Sequence, residues 1–269
     1  MSLPADLHVR IPESLSWLAP LEVDGLIRVG GEADGGYVVP AGLLRNAEVL
    51  VSMGLGHNWQ FEKDVKALNR GVRIHVYDHT VSDRLFARQL LAEVAGLVAG
   101  RTSLATVRRR RLRLNDYRAF FGTEATHFRE RIHDRCDSHS VDIPTVLARA
   151  GTGRVFVKMD IEGGEYRVLE EVLSYADRIL GLAVEFHDVG PLRPVFERVL
   201  EASRGRFEIV HVHANNFAPT YRDGFPEACE VTLARRDLVQ GTKRRRTLPL
   251  ADLDRPNDPR SPDYRLLFD

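Results

Sequence analysis

The chain has 269 residues, with 38 lysines and arginines against 38 carboxylates, so its formal charge is zero. That length corresponds to one large domain or two small ones and can bury a full core without disulfide or metal staples. At 43% hydrophobic and 28% charged residues, disorder, collagen and coiled coil are excluded as the main class, and a neutral total argues against a nucleic-acid clamp. Cys136 and Cys229 make neither a disulfide framework nor a metal finger. The start, MSLPADLHVRIPESL, lacks the basic end and apolar run of a signal peptide. The longest apolar stretch, Leu85 to Val98, is interrupted by Arg88, Gln89 and Glu93. A cytoplasmic protein without a membrane span is expected.

In chain order, residues 1–45 read as an irregular segment with Pro4, Pro12, Pro20 and Pro40 around the glycines at 30, 31, 35 and 36. Glu48 to Met53 is an apolar run ending in Gly54-Leu-Gly56, the pattern of a buried strand and a tight turn. Asn58 can cap a helix carrying Phe61, Val65 and Leu68 on one face, with Gly71 as its stop. A second strand is expected from Val72 to Tyr77, ending on Asp78. The next helix runs from Ser82 to Val98 with Leu85, Leu90, Leu91, Val94 and Val98 inward. Leu104 to Leu114 reads as one long strand or two short ones, its Arg108 to Arg111 run lying on a solvated edge.

Asp142-Ile-Pro-Thr-Val-Leu is a capped helix start. A strand from Arg154 to Met159 ends in Asp160-Ile-Glu-Gly-Gly-Glu165, and a helix follows with Val168, Leu169, Val172 and Leu173 inward. Ile179 to Phe186 is a strand, Pro191 opens a helix to about Arg204, and Phe207 to Val212 and Glu230 to Ala234 form a closing hairpin. Alternating strands and helices imply an α/β fold: a doubly wound, mainly parallel sheet with one antiparallel edge strand from the C-terminal hairpin. The expected organisation is the N-terminal segment 1–45 over the ligand pocket, a catalytic domain at 46–240, and a Pro-rich tail at 241–269. That tail can serve as a lid, an oligomer arm or a surface wrap.

In such sheets ligands bind outside the carboxyl ends of the strands, so the polar residues there are the candidates. The first strand ends in Ser52-Met-Gly54-Leu-Gly56, where glycines admit a close backbone approach. A dinucleotide fingerprint would place a third glycine at position 59, which is Trp59. Asp78 stands twenty-two residues after Gly56 and can accept both hydroxyls of a ribose, with His79 beside it. Together these point to an adenosine-type ligand without a diphosphate, S-adenosylmethionine being the common one. Lys158 and Asp160 share strand parity, as do Glu185 and His187, and His211 and His213. Glu162 and Glu165 fall where negative charge favours a helix start. Asp160, Glu185, His187 and His213 converging on one crevice would suit a divalent metal, or a general base held by carboxylates.

Val155-Phe-Val-Lys-Met-Asp-Ile-Glu-Gly-Gly-Glu165 resembles the signature of the FkbM-type S-adenosylmethionine-dependent methyltransferases. Asp34-Gly-Gly-Tyr-Val-Val39, Val51 to Glu62 and Val141 to Leu147 look like further parts of that superfamily, in the branch resembling the methyltransferase-like 24 domain. The resemblance covers about residues 28–235 and leaves the basic middle unmatched. It implies a class I methyltransferase (Rossmann-like) fold with the cofactor over Ser52, Gly54, Gly56, Asp78 and His79, and with Asp34, Gly35 and Gly36 folding back over the same pocket. It also implies O-methylation of a sugar or a sugar-containing natural product, a small-molecule acceptor rather than nucleic acid or membrane.

The expected mechanism aligns the acceptor hydroxyl in line with the sulfonium methyl and removes its proton. Asp160 is expected beside the transferring methyl and His187 as the base, with Asp160, Glu185 and His213 as ligands if a divalent metal ion takes part. The competing readings are an NAD-type oxidoreductase, disfavoured by Trp59, and a non-catalytic nucleic-acid-binding module using Arg108–Arg111 and Lys243–Arg246.

Overall fold

The computed structural model describes residues 7–268; Pro4 of the irregular start and Asp269 of the tail lie outside the described residues. The main sheet has seven strands, numbered here in chain order: β1 (Val49–Met53), β2 (Arg73–Tyr77), β3 (Thr126–Phe128), β4 (Val155–Met159), β5 (Ile179–Phe186), β6 (Phe207–Ala214) and β7 (Cys229–Arg235). Their spatial order is β6-β7-β5-β4-β1-β2-β3, the strand order of the class I methyltransferase (Rossmann-like) fold. Every pair is parallel except those made by β7, which runs against both β5 and β6. The hairpin thus supplies the one antiparallel strand, set one place in from the edge.

The central strands β1, β4 and β5 are buried along their whole length, as parallel strands covered on both faces must be. The helices are α1 (Ala41–Asn46), α2 (Gln60–Leu68), α3 (Asp83–Val98), α4 (Leu104–Thr123), α5 (Ile143–Ala150), α6 (Glu165–Ser174) and α7 (Arg193–Ser203). One apolar layer gathers α5, α6 and α7, with Val146, Val168, Leu169, Val172, Phe196 and Val199. The other gathers α1, α2 and the root of α3 and α4, with Leu44, Phe61, Val65, Phe86, Leu114 and Tyr117. The expected apolar face of α6, at i, i+1, i+4 and i+5, is the buried one.

The basic middle stretch is helical, not extended. Ser103 caps α4 by accepting the Thr106 N–H, arginine and leucine favour helix, and only Leu114, Tyr117 and Phe120 are buried, three residues apart. The alternation Arg111-Leu112-Arg113-Leu114 imitates a strand over a window too short to reveal the helical period. In α3 the inward residue is Phe86; Leu85 and Leu90 are half-buried, whereas Leu91, Val94 and Val98 are exposed. The α2 cap position is Trp59, with Asn58 Oδ1 accepting the Gln60 N–H, and α7 opens on Arg193-Pro194 rather than on Pro191.

The segment read as irregular contains a hairpin, Leu26–Gly30 paired with Gly36–Pro40. It is pinned to the sheet by Thr232, whose hydroxyl donates to the Val38 carbonyl at 2.8 Å. The tail also has strands. Thr247–Leu248 and Tyr264–Leu267 form a three-stranded sheet with Leu7–Arg10, so the two ends of the described chain run side by side.

Candidate active site

At the end of β1, Gly54 adopts φ +85°, and a Cβ there would lie 1.7 Å from the Asp160 carbonyl oxygen. No other residue fits while Asp160 N–H donates to the Met53 carbonyl at 2.9 Å. Gly56, at φ +55°, faces open space. Asp78 closes the loop: its Oδ2 accepts the Leu55 and Gly56 N–H groups at 2.8 and 2.9 Å, and its Oδ1 accepts from the Thr80 N–H and hydroxyl at 2.6 Å. Burial opposes ionisation of Asp78, but the Thr80 hydroxyl and these amides outweigh it and hold its pKa below the ordinary value. The carboxylate expected to serve a ribose therefore also shapes the glycine turn, and the Leu55, Gly56 and Thr80 donors occupy both of its oxygens.

Above this turn lies a cavity of about 570 Å³, a size suited to a nucleoside-type ligand. Asp34, Gly35, Gly54, Gly56, Asp78 and His79 line it. The other two residues expected there do not. Gly36 is held in the hairpin opposite Gly30, and Ser52 is sealed beneath the floor, its hydroxyl donating to Glu62 Oε1 at 2.5 Å. Glu62, which ends the Val51 to Glu62 segment of the resemblance but is not among the residues expected at the site, does line the cavity, and burial raises its pKa.

A smaller cavity of about 280 Å³ adjoins it, sharing Asp34, Asp160 and Glu162 with the first and adding Glu185, His187 and Asn215. His187 Nε2 lies 3.5 Å from Glu162, 3.9 Å from Glu185 and 4.0 Å from Asp160, and its Nδ1 lies 3.4 Å from Glu165. Burial opposes charging the ring, but the Glu165, Glu185 and Asp160 carboxylates prevail and push its pKa up to about 9. Glu185, buried and near Asp160 and Glu230, is pushed up to about 8. Its carboxylate accepts from Asn215 Nδ2 at 2.6 Å and from the Tyr37 hydroxyl at 3.3 Å. Lys158 lines the larger cavity: its buried ammonium donates to the Gly54 carbonyl at 2.8 Å and to Oδ2 of Asp160, a residue that faces both cavities, at 3.2 Å.

The residues flanking this pocket are conformationally unusual. Glu162 and Asp188 have φ of +54° and +51°, the left-handed region that non-glycine residues seldom occupy. Glu165 is fully buried, and its Oε1 accepts the Ile161 N–H at 2.9 Å, so it braces the turn as well as facing His187.

His213 does not join Asp160 and Glu185. Because β7 inserts between β5 and β6, Glu230 pairs with Glu185 on one side and with His213 on the other. That places His213 two strands, roughly 10 Å, from Glu185. It is sealed instead by the tail, with Nε2 3.2 Å from Asp263 and Nδ1 3.5 Å from Glu230. The set whose ligand atoms all lie within 4.8 Å of one another is Asp160, Glu185 and His187. Residue parity on a strand is legible in sequence, whereas the insertion of β7 is not.

No family model matches the chain, and no curated protein matches it. Among solved structures it is similar to a protein described as a predicted O-methyltransferase from Agrobacterium tumefaciens, at 14% identity over 84% of this chain and 98% of that one, TM-score 0.37. It is also similar to a precorrin-6y C5,15-methyltransferase from Geobacter metallireducens, at 13% identity over 73% and 86%, TM-score 0.38. A third similarity is to a fibrillarin/Nop5p complex, at 12% identity over 78% and 91%, TM-score 0.35. At these scores the fold assignment rests on the strand order. Among the described residues no helix is long and apolar enough to cross a membrane.

Proposed function

We propose that the chain is an S-adenosylmethionine-dependent O-methyltransferase acting on a hydroxyl of a sugar or sugar-containing natural product. The observation that carries this reading is the pair of adjoining cavities on a class I methyltransferase strand order. One is a nucleoside-sized space over Gly54, Gly56 and Asp78; the other is an acidic space around His187, with Asp34, Asp160 and Glu162 common to both. When bound, S-adenosylmethionine supplies an electrophilic methyl group on a sulfonium. The surrounding carboxylates Asp34, Asp160 and Glu162 suit a cationic centre and a polyol alike.

In this reading Asp160, held by Lys158 and by the closing contact with β1, positions the acceptor by accepting a hydrogen bond from a hydroxyl next to the reacting one. As the oxygen–carbon bond forms and the sulfur–carbon bond breaks, neutral His187 takes the hydroxyl proton at Nε2. The imidazolium so formed is stabilised by Glu165 on its far side and by Glu185. Glu185 is itself fixed by Asn215 and Tyr37.

A second reading follows from the spacing of Asp160, Glu185 and His187. A mixed oxygen and imidazole set of this kind fits a divalent cation, which would lower the pKa of a hydroxyl brought to it. His187 then binds the ion and is not the base. Exhaustive EDTA treatment separates the two readings: activity that survives leaves His187 as base, and activity restored by added Mg2+ or Mn2+ makes it a ligand.

The dinucleotide alternative loses support at Trp59. Its indole is buried against Phe86, Tyr117 and Phe121 and donates to Asp116 at 2.8 Å, where the third fingerprint glycine would allow close packing of helix on strand. Thermal-shift measurement with S-adenosylhomocysteine and with NAD tests the proposal. Stabilisation by the first alone is the expected result, and stabilisation by NAD alone overturns it.

A further inference from the structure

The helical hairpin of α3 and α4 carries a surface that the active-site reading does not use. Between Phe86 and Leu114 no residue is buried, so the outer part of the hairpin packs on little besides itself. From Asp83 to Arg113 it holds eight arginines and two carboxylates, a formal +6 in a chain whose total is zero. Arg110 is engaged by Glu93 and Gln89, whereas Arg108, Arg109 and Arg111 make no ion pair among the described residues. On the same hairpin stand five of the eight exposed large apolar side chains of the described residues: Leu91 (67% exposed), Val94, Val98 (88%), Leu104 (72%) and Leu112.

These apolar residues are arranged on helix faces. Leu91, Val94 and Val98 follow one stripe of α3 at i, i+3 and i+7. On α4, Leu104, Arg108 and Leu112 follow one another at i, i+4 and i+8, and with Ala105 and Arg109 they line one shallow depression. The hairpin root is continuous with the site: Leu112 and Arg113 line a groove together with His57 and Asn58, and those two also line the large cavity.

From this placement we infer that the α3–α4 hairpin is a docking surface for an anionic lipid bilayer, on which the protein rests peripherally. The occupant must supply negative charge and accept exposed aliphatic side chains together. Phosphate headgroups over acyl chains do both, as interfacial helices show. A second copy of the same hairpin would set +6 against +6. Single-stranded nucleic acid would be gripped by stacking aromatics, and the hairpin's one aromatic residue before Leu114, Phe86, is buried. The neutral total charge conceals this face, and its apolar residues are too interrupted to resemble a membrane span.

Co-sedimentation of the full chain with vesicles tests the inference, using phosphatidylcholine alone and phosphatidylcholine mixed with phosphatidylglycerol. Binding is expected to the anionic vesicles only, weakening with salt. Two triple variants carry the argument, both confined to unburied positions and checked for an unchanged Tm. Arg108→Gln/Arg109→Gln/Arg111→Gln is expected to lower partitioning by about 100-fold. Leu91→Gln/Val94→Gln/Val98→Gln is expected to lower it by roughly tenfold. Failure to pellet with anionic vesicles at low salt overturns the inference. So does an aliphatic variant that binds like the parent, which would leave a polyanion site, or a stable dimer that either variant dissociates. None of these readouts depends on the enzymatic reading.

Discussion

The ends of β5 and β6 look alike in sequence and do opposite things. Glu185-Phe-His187 and His211-Val-His213 both place ionisable side chains on alternate positions beside buried apolar ones. On β5 the pair opens into a cavity, where His187 remains within reach of solvent among Asp160, Glu162, Glu165 and Glu185. On β6 the tail covers the pair. His211 Nε2 meets Asp254 at 3.0 Å, His213 meets Asp263 and Glu230, and both rings are about 1% exposed. The covering segment reaches the active site as well, since Asn257 Nδ2 bridges Glu230 at 2.8 Å and Asp34 at 3.2 Å. A histidine near a strand end gains chemistry or structure according to what lies over it.

The sharpest test of this contrast is His187→Ala. It should lower methyl transfer by roughly 10²–10⁴-fold while leaving S-adenosylhomocysteine affinity near that of the parent. Calorimetric titration alongside a turnover assay reads both, and undiminished turnover would remove the catalytic role. His213→Ala should do the reverse. It leaves Asp263 and Glu230 buried without their cation, at a cost of about 3–5 kcal/mol. That lowers Tm by something on the order of 10 °C, with activity per folded molecule retained; a Tm within a degree or two of the parent would show that the tail seal is dispensable.

Asp78→Ala tests the other wall of the site. Without its carboxylate the Leu55 and Gly56 amides lose their acceptor, which should cost about 1–3 kcal/mol in a denaturant melt and, with the turn loosened, weaken S-adenosylhomocysteine binding in calorimetric titration. Asn257→Ala removes two bonds to carboxylates and should cost about 1.5–3 kcal/mol in a denaturant melt. A larger loss would indicate that the whole tail undocks.

The two histidines also differ in what pH should do. His187, pushed up to about 9, accepts a proton only when neutral, so turnover is expected to climb as pH rises toward that value. A profile already level near neutral pH would place the base elsewhere. For His213, burial opposes the charge, but Asp263 and Glu230 raise its pKa well above the ordinary value. A raised folded pKa contributes stability that is complete below the unfolded value of about 6.5 and fades as pH rises through the folded one. The parent should therefore lose stability on the alkaline side, and His213→Ala should flatten that decline.

Much of the fold is legible because its signals are local. Uninterrupted apolar runs such as Ile179 to Val184 belong to strands buried on both faces, and Asp142 and Ser82 cap their helices. Gly54 is legible too, since two strand ends meet where a side chain would collide with the Asp160 carbonyl. The α4 helix was illegible because its arginine and leucine alternation copies a strand pattern over a few residues. Tail residues 254–263 showed their prolines but not their role, their acids being indistinguishable in sequence from solvated ones.

What the sequence by itself determined is the alternation of strands and helices, the parity of Glu185 and His187, and the glycine turn with its distant Asp78. These follow from periodicity and backbone sterics acting over a few residues. What only the tertiary structure decided is which polar residues share a space. The insertion of β7 removes His213 from the crevice, and the tail closes over it. The packing of β4 against β1 brings Asp160 to the glycine turn. Neighbours across a sheet are set by strand order, and no window along the chain contains that order.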